Sequence, residues 1–91
     1  MHKEQVEIYS DKTNLAVLRH PNRNFPGVLI QGDALYSFCR KADDVCTKAK
    51  TALDTESYQE LNNLRNGLWA HLTHYKEVLG EHGIRLPFNE T

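Results

Sequence analysis

Histidine, cysteine and paired aspartate are the residue types here that could do chemistry, and each group has a spacing that can be tested. His71 and His74 are three apart on a predicted helix, an acceptable separation for two metal ligands. His82 lies on nearly the same azimuth as His71, but eleven residues on its Cα is ~16 Å further along the axis, too far to share an ion. No carboxylate or thiol falls beside the pair, so two partly exposed surface histidines are the better reading. Cys39 and Cys46 lie two helical turns apart, ~10 Å between Cα atoms, which is too far for a disulfide. Their place in the middle of an apolar seam makes them buried, inert thiols rather than nucleophiles. Asp43 and Asp44 resemble a carboxylate pair, but adjacent helix residues point ~100° apart and do not converge on one substrate. No G-x-S-x-G, Walker or dinucleotide fingerprint is present, and Gly27 and Gly32 do not make a phosphate cradle. The residues predict no catalytic group, no cofactor and no metal.

Two features suit binding instead. The segment His20-Pro21-Asn22-Arg23-Asn24-Phe25 offers the charge of Arg23, with Arg19 beside it, and the adaptable hydrogen bonds of two asparagines. A solvated connection explains the same composition. Trp69 sits on the flank of an apolar stripe, where tryptophan is often half exposed and serves as an interface anchor. Closing the edge of the core is its alternative role.

The elements that must position these residues follow from periodicity. Val28, Leu35, Ala42 and Ala49 recur every seven residues, and Gly32, Cys39, Cys46 and Leu53 recur four out of step. This is one face of a helix, and half of it is Gly, Ala or Cys, so a second helix can approach closely. Tyr58, Leu61, Leu64, Leu68, Leu72, Tyr75 and Leu79 supply large side chains to face it. The pattern predicts an antiparallel pair, one helix over residues 26–53 and a second over 56–82. Pro26 suits a first helical turn. The competing reading makes residues 28–31 a strand and starts the helix at Asp33, after a turn at Gly32. Three consecutive apolar residues support that reading; the unbroken seam through Gly32 favours the long helix. Asp54, Thr55 or the Ser57/Glu60 capping box could start the second helix, and Gly83 suits its end. Arg40, Asp44 and Lys48 form an i,i+4 series of alternating charge on the outer face.

Upstream, Gln5-Val6-Glu7-Ile8-Tyr9 alternates polar and apolar, and Leu15-Ala16-Val17-Leu18-Arg19 is a second short apolar run. With turn formers at Ser10-Asp11-Lys12-Thr13-Asn14, residues 4–19 read as a β-hairpin. Residues 84–88 could add an edge strand, the only place a sheet tolerates Pro87. The expected class is therefore α+β, a single domain with the hairpin packed on the helical pair.

A formal charge of −1 gives no global electrostatic case for nucleic acid or an anionic membrane. No run approaches the ~20 apolar residues of a membrane span, and Met1-His2-Lys3-Glu4 has no secretory h-region. Reduced, buried cysteines fit the cytoplasm.

Asn24-Phe25-Pro26-Gly27-Val28-Leu29-Ile30-Gln31-Gly32-Asp33 resembles the F-P-G-[apolar]3-Q-G-D signature of a small bacterial family of about this length. Leu18-Arg19-His20-Pro21-Asn22-Arg23 is similar to that family's approach to the motif. Proteins of this kind resemble immunity proteins of contact-dependent inhibition and other polymorphic toxin systems. The resemblance implies a non-catalytic cytoplasmic antitoxin that binds one cognate toxin domain, with no residues of a catalytic site to carry over. Its expected partner surface is Asp43, Asp44, Glu56 and Glu60 around Trp69, with the Arg23 loop as the other place. A structural or regulatory interaction module, able to pair weakly with itself, and a small-ligand or metal-binding protein are the alternatives.

Overall fold

The computed structural model describes residues 1–12 and 15–90. Its fold is α+β: three antiparallel strands in the order β1-β2-β3, followed by two helices. The chain divides into two compact units, Met1–Gln31 and Gly32–Thr91.

In the first unit β1 (Glu7–Ser10) pairs with β2 (Ala16–Arg19) as the alternation predicts. Of the turn residues between them, Thr13 and Asn14 lie outside the described residues. The register sets Glu7 opposite Arg19 and Ile8 opposite Leu18, then shifts between Ile8 and Ser10. Glu7 and Arg19 form an ion pair across the two strands, and the Tyr9 hydroxyl donates to Glu7 at 2.7 Å. These partners hold the Glu7 carboxyl below its usual range, Arg19 first and Tyr9 second.

The predicted helix over 26–53 is corrected at its start. Residues Gly27–Leu29 form a strand, β3, which pairs with β2 through Ala16–Leu29, Val17–Val28 and Leu18–Gly27. Helix α1 covers Gly32–Ala49. The heptad step from Val28 to Leu35 misled because a valine at a strand position and at a seam position look alike. Pairing to β2 decides it: a two-stranded hairpin is marginal in water, and a third strand supplies a further ladder. At its other end α1 stops at Ala49 rather than Leu53. The amides of Ala52 and Leu53 both turn back to the Ala49 carbonyl.

Asp54 then caps α2 (Thr55–Glu81), accepting from the Ser57 amide at 2.7 Å and the Ser57 hydroxyl at 3.1 Å. It satisfies one of the helix's unpaired first-turn amides, and the same bonds hold its carboxyl below its usual range. The helix closes on Gly83 at φ 66°, with the Gly83 amide to the Gly80 carbonyl and the Ile84 amide to the Leu79 carbonyl. This is the paired bonding of a Schellman ending, as Gly83 predicts. Residues 84–88 form no strand. Phe88 stacks on Tyr36 instead, ring centres 4.2 Å apart and nearly parallel, while the Tyr36 hydroxyl donates to the Asn89 carbonyl and Lys76 pairs with Glu90.

The two helices are antiparallel, since contacts advance along α1 as they recede along α2: Gly32 meets Tyr75, Asp43 meets Arg65, and Cys46 meets Leu61. Their small-against-large seam is the core. Gly32, Cys39, Cys46 and Leu72 are buried, and a Cβ on Gly32 would fall 2.2 Å from the Tyr75 ring.

Candidate functional site

Two places gather the residues singled out by sequence. The first is on the helical pair. Asp43 lies on the flank of the α1 seam, and Arg65 and Trp69 are one turn apart on the facing side of α2. The Trp69 indole N–H donates to Asp43 Oδ1 at 2.9 Å, and the Arg65 guanidinium donates to the same oxygen. Burial raises the Asp43 carboxyl, but the hydrogen bonds from Arg65 and Trp69 outweigh it and hold the group below its usual range. Arg65 is stabilised in its charged form in return. Asp43 and Trp69 are thus brought together, as a polar bracket that ties the helices rather than as a free acid and a free anchor.

Asp44, Glu56 and Glu60 are exposed and make no part of that bracket. Arg40 turns away from the expected charge series: its guanidinium donates to the Tyr36 hydroxyl at 3.0 Å and lies 5.8 Å from the ring centre. Cys39 is fully buried, and burial, followed by the nearby Asp43 charge, pushes its thiol up. The Cys46 thiol contacts the Leu61 carbonyl at 3.9 Å. Both are free cysteines. His71 and His74 are exposed, and among the described residues no three His, Cys, Asp or Glu side chains cluster as metal ligands.

The second place is on the sheet. Leu18, His20, Arg23, Asn24, Phe25, Gly27, Val28 and Leu29 line a groove of about 450 Å³. A turn fixes its rim: the Arg23 amide donates to the His20 carbonyl at 3.0 Å, and the Asn22 amide donates to His20 Nδ1 at 3.2 Å. Arg19 donates to the Arg23 carbonyl at 3.2 Å. The backbone of Arg23 is thereby held, while its guanidinium pairs with no carboxylate among the described residues. Phe25 is 81% exposed and Val28 58%. Arg23 was legible in the sequence as a charged loop residue. Phe25 was legible as the end of that loop, whereas Val28 and Leu29 were not singled out as surface, because a helix was expected over residues 26–53 with Val28 on its seam. The absence of any carboxylate from residue 13 to residue 32 was the available clue.

Neither place has a nucleophile beside a base, or two carboxylates facing one cavity. The bracket presents a half-buried indole, and the groove presents an apolar floor with a cationic rim. No helix among the described residues is long and apolar enough to cross a membrane. Comparison with curated proteins and with solved structures gave no match. The chain belongs to a family of unknown function (DUF6959), whose model matches it over residues 1–88.

Proposed function

We propose that this chain is a non-catalytic immunity protein that binds and neutralises one bacterial toxin domain. The observation that carries the reading is the fate of the F-P-G motif. Phe25, Val28 and Leu29 are spent on an exposed groove rather than on the core. Exposed apolar side chains beside polar neighbours are characteristic of protein-binding surfaces. The resemblance carried by those residues supplies the class of partner. Asp44, Glu56 and Glu60, on the helical unit, remain available as a second contact for a basic toxin.

The test is calorimetric binding of the full chain to the C-terminal domain of a secreted toxin encoded beside it, with growth of cells expressing that domain as the second readout. One-to-one binding and restored growth are expected. A folded toxin domain that neither binds nor loses toxicity overturns the reading.

A further inference from the structure

The two edges of the sheet are unlike each other. The β1 edge carries charge at Glu7, with Asp11 and Lys12 just beyond the strand, and an irregular register between Ile8 and Ser10. Charges and bulges are what natural sheets use to keep other strands off an edge. The β3 edge has neither. Its three residues, Gly27, Val28 and Leu29, are uncharged and exposed, and they follow β2 in regular register. Among the described residues the strand has a hydrogen-bonded neighbour strand on one side, β2.

We propose that the free edge of β3 accepts an extended acidic and apolar segment of a partner protein as a fourth strand. The proposal rests on the reading of the groove as a protein-binding surface, and it specifies what enters. Main-chain hydrogen bonds to β3 supply affinity, and alternate side chains of the incoming strand meet the groove and its rim. The floor takes apolar groups on Leu18, Phe25, Val28 and Leu29. The rim asks for carboxylates, because the Arg23 guanidinium pairs with no carboxylate among the described residues, His20 lines the same groove, and no acidic residue occurs between Lys12 and Asp33. A second copy of this chain would bring the same cation-bearing, carboxylate-free segment, so charge disfavours self-pairing. A three-residue edge also falls well short of the ~1,200 Å² that a stable interface buries, so the toxin must contact further surface.

The test uses the full chain labelled with 15N and blocked ten-residue peptides alternating Glu with Val, or Lys with Val. The Glu peptide should shift the Gly27, Val28 and Leu29 amides and slow their exchange. The Lys peptide should bind at least about tenfold more weakly. Arg23→Glu, at an exposed side chain, should reverse that order, and Val28→Ser, which removes apolar floor without adding charge, should weaken both peptides. Equal binding of the two peptides, shifts confined to residues 32–81, or shifts of 27–29 that grow with protein concentration alone would overturn the proposal. So would stronger shifts from a thymidine oligonucleotide. A toxin domain that binds without moving these amides defeats the strand addition and leaves the immunity reading standing. A Glu peptide that binds at β3 while the toxin does not bind defeats the immunity reading alone.

Discussion

Gly32 and Asp43 show how much of this fold depends on single residues along the helical seam. A methyl at Gly32 would sit 2.2 Å from the Tyr75 ring, inside any real contact distance. The ring must move to admit it, giving up its contact with the α1 backbone. Gly32→Ala should therefore destabilise the chain by ~1–3 kcal/mol, although alanine is the better helix former. The urea midpoint measures this. An unchanged or raised midpoint would mean that Tyr75 does not lie on Gly32. Asp43 acts through charge. Its carboxyl titrates below the usual range when folded, so the unfolded chain binds the proton first. The bracket's contribution is present above the unfolded aspartate pKa of about 4 and is lost as pH falls through the lower folded value. Between about pH 5 and pH 3, Asp43→Asn should lose stability less steeply than the natural chain. Chemical denaturation at each pH compares the two slopes, and parallel slopes would show that the Arg65 and Trp69 bonds do not favour the charged form. Trp69→Ala then tests more than a surface anchor, because it removes a donor from Asp43.

At the scale of elements, periodicity and caps were readable where one periodicity governed a segment. The large stripe from Tyr58 to Leu79 places α2 to within a residue at either end, since Asp54 and Gly83 mark its limits by short-range hydrogen bonding. The hairpin was readable because an alternating run, Gln5 to Tyr9, and a short apolar run, Leu15 to Arg19, flank a cluster of turn formers. The segment 26–31 was not, because Val28-Leu29-Ile30 fits a strand by composition and a helix by spacing, and only its partner β2 decides. The tail was misread for a similar reason: Phe88 finds Tyr36, a contact with no local sequence pattern. Of the candidate site, Arg23 and Trp69 could be singled out by type, whereas the link from Asp43 to Arg65 and Trp69 depends on the register of two helices. The interior of α2 offers a further test. Gly67 lies in the middle of that helix, and a Cβ there would meet nothing within 4 Å. Gly67→Ala should stabilise the chain by ~0.5–1 kcal/mol, through helix propensity and a less disordered unfolded chain. A lowered urea midpoint would mean that the helix is interrupted at Asn66-Gly67.

Across the whole molecule, burial is uneven. Every fully buried side chain among the described residues belongs to Gly32–Thr91, and none belongs to Met1–Gln31. Local opening is cheapest where few apolar groups are buried. Native-state amide exchange should therefore be fast at Glu7–Ser10, Ala16–Arg19 and Gly27–Leu29. It should be slowest around Cys39, Cys46 and Leu72, where the seam closes. The thiols should follow the amides: Cys39 and Cys46 should react slowly with a thiol reagent until denaturant is added. This contrast bears on function, because a sheet with little core of its own gains stability from whatever covers it. A partner at [L] equal to 100 times its Kd raises the stability of the state it binds by ~2.7 kcal/mol. Protection should then rise about a hundredfold at β2 and β3 on saturation with the toxin domain, and change little around Leu72, where exchange reflects the packing of α1 on α2. Exchange measured with and without that domain checks both halves of the expectation. Equal protection of sheet and helices in the free protein would show that the exposed apolar residues of β3 are covered in solution, and the groove would lose its claim to be a binding surface.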